Sequence, residues 1–165
     1  MTSAHTLATW LLARRPPLWR QILYYALIAL AAAGAFILVA VGLVFAIGGR
    51  PELLSREAPG LSPTDILGTA VFAPVMETLL LAALLWLLQT ASANRVFVAA
   101  VAALLWGAMH ATLGVISFFG SVPAFFIFSC AYMAWREVSF GRAFVAAATP
   151  HALINSLALV LIAVT

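Results

Sequence analysis

The chain contains no lysine, one cysteine, five acidic residues and two asparagines. With Cys130 alone no internal disulfide can form, and a lone cysteine in an apolar segment reads as a small buried hydrophobe. Charged residues make up only 8% of the sequence, against about 25% in soluble domains. With 65% hydrophobic residues and a mean hydropathy of +1.14, a soluble fold is excluded. The net charge of +3 rests on arginines scattered through short segments, not massed on one face, which argues against a nucleic-acid partner. Arginine without lysine, beside many alanines, suggests a GC-rich bacterial genome.

What remains is apolar sequence in long runs. The fold class expected is all-α, a polytopic transmembrane helical bundle of about five spans, formed as a single membrane domain over residues 1–165. The spans are predicted near Gln21–Ile47, Thr64–Gln89, Val96–Ile116, Phe119–Trp135 and Ala143–Val164, against a hydrocarbon layer that takes about 20 residues; the fourth is short and aromatic-rich. Residues 1–20 form a cytoplasmic or interfacial segment. Leu7, Trp10 and Leu11 share one helical face there, Arg14 and Arg15 follow, and Pro16 and Pro17 end the helix. The apolar run after Arg20 far exceeds the roughly 7–15-residue core of a signal peptide, so no such peptide is expected. Tyr24 and Tyr25 suit an aromatic belt at the interface. Ala99, Ala103, Gly107 and Ala111 repeat every four residues and predict a smooth face for a neighbouring helix. Pro123 is expected in a first turn, where proline does no harm. No repeat of 20–50 residues is present, so an inverted-repeat transporter is not suggested.

Arginine placement predicts orientation. With the N-terminus in the cytoplasm, Arg14, Arg15, Arg20, Arg95, Arg136 and Arg142 lie inside, and Arg50 and Arg56 outside, which follows the positive-inside rule and puts the C-terminus outside. The expected location is a bacterial plasma membrane.

The scarcity of acids gives the chain its focus. Glu52, Glu57, Asp65 and Glu137 fall in or beside predicted loops, whereas Glu77 sits near the middle of an apolar run. A carboxylate at that depth costs about 2.5–3.5 kcal/mol on insertion scales, so such residues face the bundle interior and mark a pathway or a reaction. At about 1.5 Å per residue, Glu77, His110 and Asn155 come out about 18–21 Å from the cytoplasmic ends of their helices and His151 about 12 Å. His151 and Asn155 are four apart and share a face. Pro74, three residues before Glu77, is expected to free the carbonyl of Ala70. Each residue has a plainer role open to it: histidine and asparagine as interhelical hydrogen-bonding groups, Glu77 as a protonated carboxyl on a backbone carbonyl. Helix ends read from sequence shift by several residues, so the four depths correspond to one level, and four such residues there are better explained as a site.

The motifs are Ala73-Pro-Val-Met-Glu77, Trp106-Gly-Ala-Met-His110 and His151-Ala-Leu-Ile-Asn155. In order and spacing they resemble the CPBP family, the CAAX-protease and bacteriocin-processing intramembrane enzymes, over a core of about residues 64–165. Thr78 and Ala82 stand where the family's first motif has its second glutamate and its arginine, which marks a divergent member. The resemblance implies a metal-free glutamic protease in which Glu77 and His110 activate water while His151 and Asn155 hold the oxyanion. The residues read on their own support the same chemistry, since a coupled Glu–His pair can take a proton from water and return it to a leaving amine.

The function expected is therefore an intramembrane endopeptidase with no cofactor, acting on a membrane-embedded or lipid-anchored protein or on a leader or tail peptide. Three alternatives stay open. Glu77, His110 and His151 could ligate zinc with an open position. His110 and His151 could ligate a haem. The chain could also be a non-catalytic scaffold or chaperone, which the residues at 78 and 82 favour.

Overall fold

An apolar run in lipid has no water to satisfy its backbone, so it must close its hydrogen bonds within the segment, and this chain does so as helices. The computed structural model describes residues 2–54 and 59–164, the side chains at 2–6, 51 and 53 excepted. Among these residues there are six helices and no strand. They are α1 (Thr2–Leu12), α2 (Leu18–Ala46), α3 (Pro63–Ala91), α4 (Arg95–His110), α5 (Val115–Arg136) and α6 (Phe140–Val164). A 3₁₀ turn, Ala111–Leu113, continues α4. With that turn included, the five helices after α1 are long and apolar enough to cross a membrane, as the sequence predicts.

Local chemistry sets the starts. Ser62 caps α3 reciprocally with Asp65, and Pro63 occupies the first helical position, where its missing N–H costs nothing. Asn94 caps α4 through Val96 and Phe97. The α4–α5 boundary differs from the expected break after Ile116. Gly114 adopts φ +129°, a region closed to side chains, so the chain turns there and α5 starts at Val115. Pro123 consequently lies inside α5, beyond its first turn.

The fifth helix is the hub of the bundle. More than half of its central window is buried, against 11% for α2, and it packs on α2, α4 and α6. The small-residue face of α4 meets it as predicted. Ala99, Ala103 and Gly107 are buried, Ala102 widens the face, and Ala111 is left half-buried in the 3₁₀ turn. A Cβ at Gly107 would collide with Val122 and lie 3.3 Å from the Phe118 ring, so the close approach of α4 and α5 requires glycine here. Cys130 is fully buried in the core, the passive place expected for it.

One end of the bundle carries most of the charge. Arg95 pairs with Glu137 at 3.0 Å and donates to the carbonyl of Met133, joining the α3–α4 turn to the end of α5. At the same end a buried amide gathers the N-terminal elements. Gln21 accepts from the Arg15 amide and the Trp135 indole, and donates to Ala13 and to Tyr25. The Tyr25 hydroxyl donates onward to Leu11 of α1. Tyr25 is thus a core residue, not part of an aromatic belt; only Tyr24 is exposed. The last turn of α1 is held to the bundle through Leu11, which is buried. Arg14, Arg15, Arg20, Arg95, Arg136 and Arg142 therefore belong to one end, and Arg50 follows the far end of α2. Arg56 and Glu57 lie outside the described residues.

Candidate active site

Three helices bring one carboxylate and two imidazoles together. Glu77 on α3 places Oε2 3.6 Å from His110 Nε2 on α4 and 4.0 Å from His151 Nε2 on α6. The Glu77 and His110 side chains keep about a fifth of their surface exposed (21% and 19%), whereas His151 keeps 7%. His110 lies four residues before the turn at Gly114, so the cluster sits just below the α4–α5 connection.

Each ring is held by a different device. The His110 Nδ1 lies 2.9 Å from the Trp106 carbonyl, and a carbonyl only accepts, so Nδ1 carries the proton. In the neutral ring Nε2 is then an acceptor, turned toward Glu77. His151 is fixed by aromatic packing: Phe128 stacks on it at 5.0 Å and Phe125 meets it edge-on at 5.3 Å. Phe125 also lies against the His110 and Trp106 rings, so a single phenyl ring spaces the two histidines. Glu77 Oε2 and His151 Nδ1 are buried without a protein hydrogen-bond partner.

The local build of α3 explains how Glu77 is presented. Gly68–Phe72 is a π turn, and the Ala73 amide donates five residues back to Gly68. In that register the carbonyl of Thr69 would take the amide of residue 74, which proline lacks. The carbonyl of Thr69 is therefore left open as well as that of Ala70, which a pure α-helix with this proline would free. Asn155 Nδ2 donates to the Thr69 carbonyl at 2.9 Å. Of the four residues expected at the site, His110 and His151 converge on one carboxylate oxygen of Glu77, and Asn155 is tied to α3 through Thr69.

The two positions at which the sequence departs from the motif it resembles, Thr78 and Ala82, lie on the inner face of α3. Thr78 is 2% exposed and Ala82 7%, in a helix that also buries Leu81 and Leu85. Sequence reasoning missed Thr69, because its contribution is a backbone atom. It also missed Phe125 and Phe128, whose i, i+3 spacing in an aromatic-rich segment was the only signal for them.

Among the described residues no set of three or more His, Cys, Asp or Glu side chains is gathered as a ligand group for a metal ion. Both rings turn Nε2 to the same Glu77 oxygen, an arrangement that pairs the histidines with the carboxylate and gives a haem between them no support. Compared with family models, curated proteins and solved structures, the chain matches none.

Proposed function

We propose that this protein is a metal-free intramembrane endopeptidase, a divergent relative of the CPBP enzymes. It hydrolyses a peptide bond in a membrane-embedded or lipid-anchored protein, or in a leader or tail peptide. The observation that carries the reading is the convergence of Glu77, His110 and His151 from three helices on one carboxylate oxygen, inside a bundle with almost no other buried charge.

The geometry suits water activation. Separations of 3.6 and 4.0 Å exceed a direct hydrogen bond, and a water beside the cluster can engage these groups together. An ionised Glu77 and a neutral His110 with its proton on Nδ1 turn two acceptors to one place, and a water donating to Glu77 there lies within reach of His110. As the water oxygen attacks the scissile carbonyl carbon, its proton passes to the Glu77–His110 pair. When the tetrahedral intermediate collapses, that proton goes to the leaving amine, giving a new carboxyl terminus and a free amine. His151, rigid between its aromatic neighbours, and the second N–H of Asn155 are assigned to the oxyanion, where one donor is typically worth about 2.7–4 kcal/mol.

The arginine-rich end is assigned to the cytoplasmic face of a bacterial plasma membrane, with the C-terminus outside. The test is a comparison of membrane-protein termini in cells carrying the wild-type chain or Glu77→Gln. New termini within or beside membrane spans, present only with the wild type, are the expected result. Identical termini in both would favour the scaffold reading.

A further inference from the structure

In an unbroken α-helix successive residues are separated by about 100°, so residues eight apart stand about 80° from each other around the axis. A π turn accommodates one extra residue, and positions eight apart then stand as positions seven apart do, within about 20°. The turn at Gly68–Phe72 therefore puts Thr69 and Glu77 on one face of α3. On α6, His151 and Asn155 share a face by ordinary i, i+4 spacing. The two faces meet in two rungs, Glu77 with His151 and the Thr69 carbonyl with Asn155.

We propose that Thr69 is a positioning residue: its backbone carbonyl, left open by the π turn and Pro74, anchors the Asn155 amide and so holds His151 in register with Glu77. Two observations carry this. The first is the carbonyl's lack of a helical partner, since Ala73 donates to Gly68 and residue 74 has no N–H. An open carbonyl is costly in an apolar setting and recruits a donor. The second is the 2.9 Å bond from Asn155 Nδ2, which commits one of the two amide hydrogens. Because the amide is planar, fixing one N–H fixes the direction of the other. The catalytic consequence of this arrangement rests on the endopeptidase reading, but the tether itself does not.

The test exploits the chain's two asparagines and three histidines. Protein labelled with [15N]asparagine and reconstituted in lipid nanodiscs shows two side-chain amides, with Asn94 exposed in a turn as the internal reference. The Asn155 amide is expected to exchange slowly with deuterated solvent. In Pro74→Ala the new N–H competes for the Thr69 carbonyl, and protection is expected to fall about tenfold, the weight of one hydrogen bond. Undiminished protection in folded Pro74→Ala would overturn the proposal. If that variant does not fold, Asn155→Leu, of similar volume but without a donor, gives the same decision through [15N]histidine spectra. Displaced His151 and His110 imidazole signals support the tether, and unmoved signals in the folded variant refute it. None of these readouts needs hydrolysis, so full activity of Glu77→Gln would sink the endopeptidase and leave the tether standing, and the reverse outcome is equally distinguishable.

Discussion

At the scale of single residues, the chain spends its one membrane-embedded acid where two imidazoles can reach it. Glu77→Gln keeps the shape and removes the charge, so two effects should separate. Hydrolysis should nearly vanish, while thermal stability in detergent should equal or exceed that of the wild type, because an ionisable group has left an apolar setting. A variant that loses its fold along with its activity would make Glu77 a structural residue. Thr78 offers the converse test. Its side chain is 2% exposed on the inner face of α3, at the position where the motif that the sequence resembles carries a second glutamate. Thr78→Glu should therefore lower stability by about 2.5–3.5 kcal/mol, the insertion cost of an acid at this depth, measured by thermal unfolding against the wild type. Stability unchanged would mean that a partner for the acid already exists there. Glu77, His110 and His151 were legible as a cluster because an ionisable side chain in an apolar run is costly unless it meets a partner inside the bundle. Asn155 was legible as a member but not in its bond to Thr69, since a donor to a backbone carbonyl leaves no trace in side-chain spacing.

At the scale of elements, hydrophobic run length was enough to locate five spans, and the four-residue rhythm of small side chains located the α4 face that meets α5. Two local features were not readable. The π turn opens the carbonyl of Thr69, and no composition rule distinguishes that register from an α-helix with a proline. The α4–α5 break rests on the positive φ of Gly114, in a stretch whose residues are apolar on both sides. The helix contact itself can be tested at Gly107. An added methyl meets Val122, a β-branched side chain with one favoured rotamer in a helix, so little relief is at hand. Gly107→Ala should cost about 1–3 kcal/mol by overpacking and, since His110 lies one turn on along α4, should also perturb the site. Thermal unfolding of the purified variant checks the first part, and wild-type stability would show that α4 can draw back from α5.

At the scale of the whole molecule, the bundle separates its charge from its chemistry. The Gln21 network, the Arg95–Glu137 pair and six arginines lie at one end, and the Glu77 cluster lies deeper, under the α4–α5 turn. Reporter fusions are expected to find the N-terminus in the cytoplasm and the C-terminus outside. A C-terminal reporter active only in the cytoplasm would overturn the orientation or the count of spans. The central claim is that Glu77 and His110 act as one unit on a water, and the most direct test is a mutant cycle. Wild type, Glu77→Gln, His110→Ala and the double variant would be purified, reconstituted in lipid and assayed for cleavage of a substrate identified from the membrane-protein termini. The account predicts near-complete loss in each single variant and a double variant little worse than either, because groups that act together are strongly non-additive. Full cleavage by Glu77→Gln, or losses in the two single variants that simply multiply in the double, would contradict it.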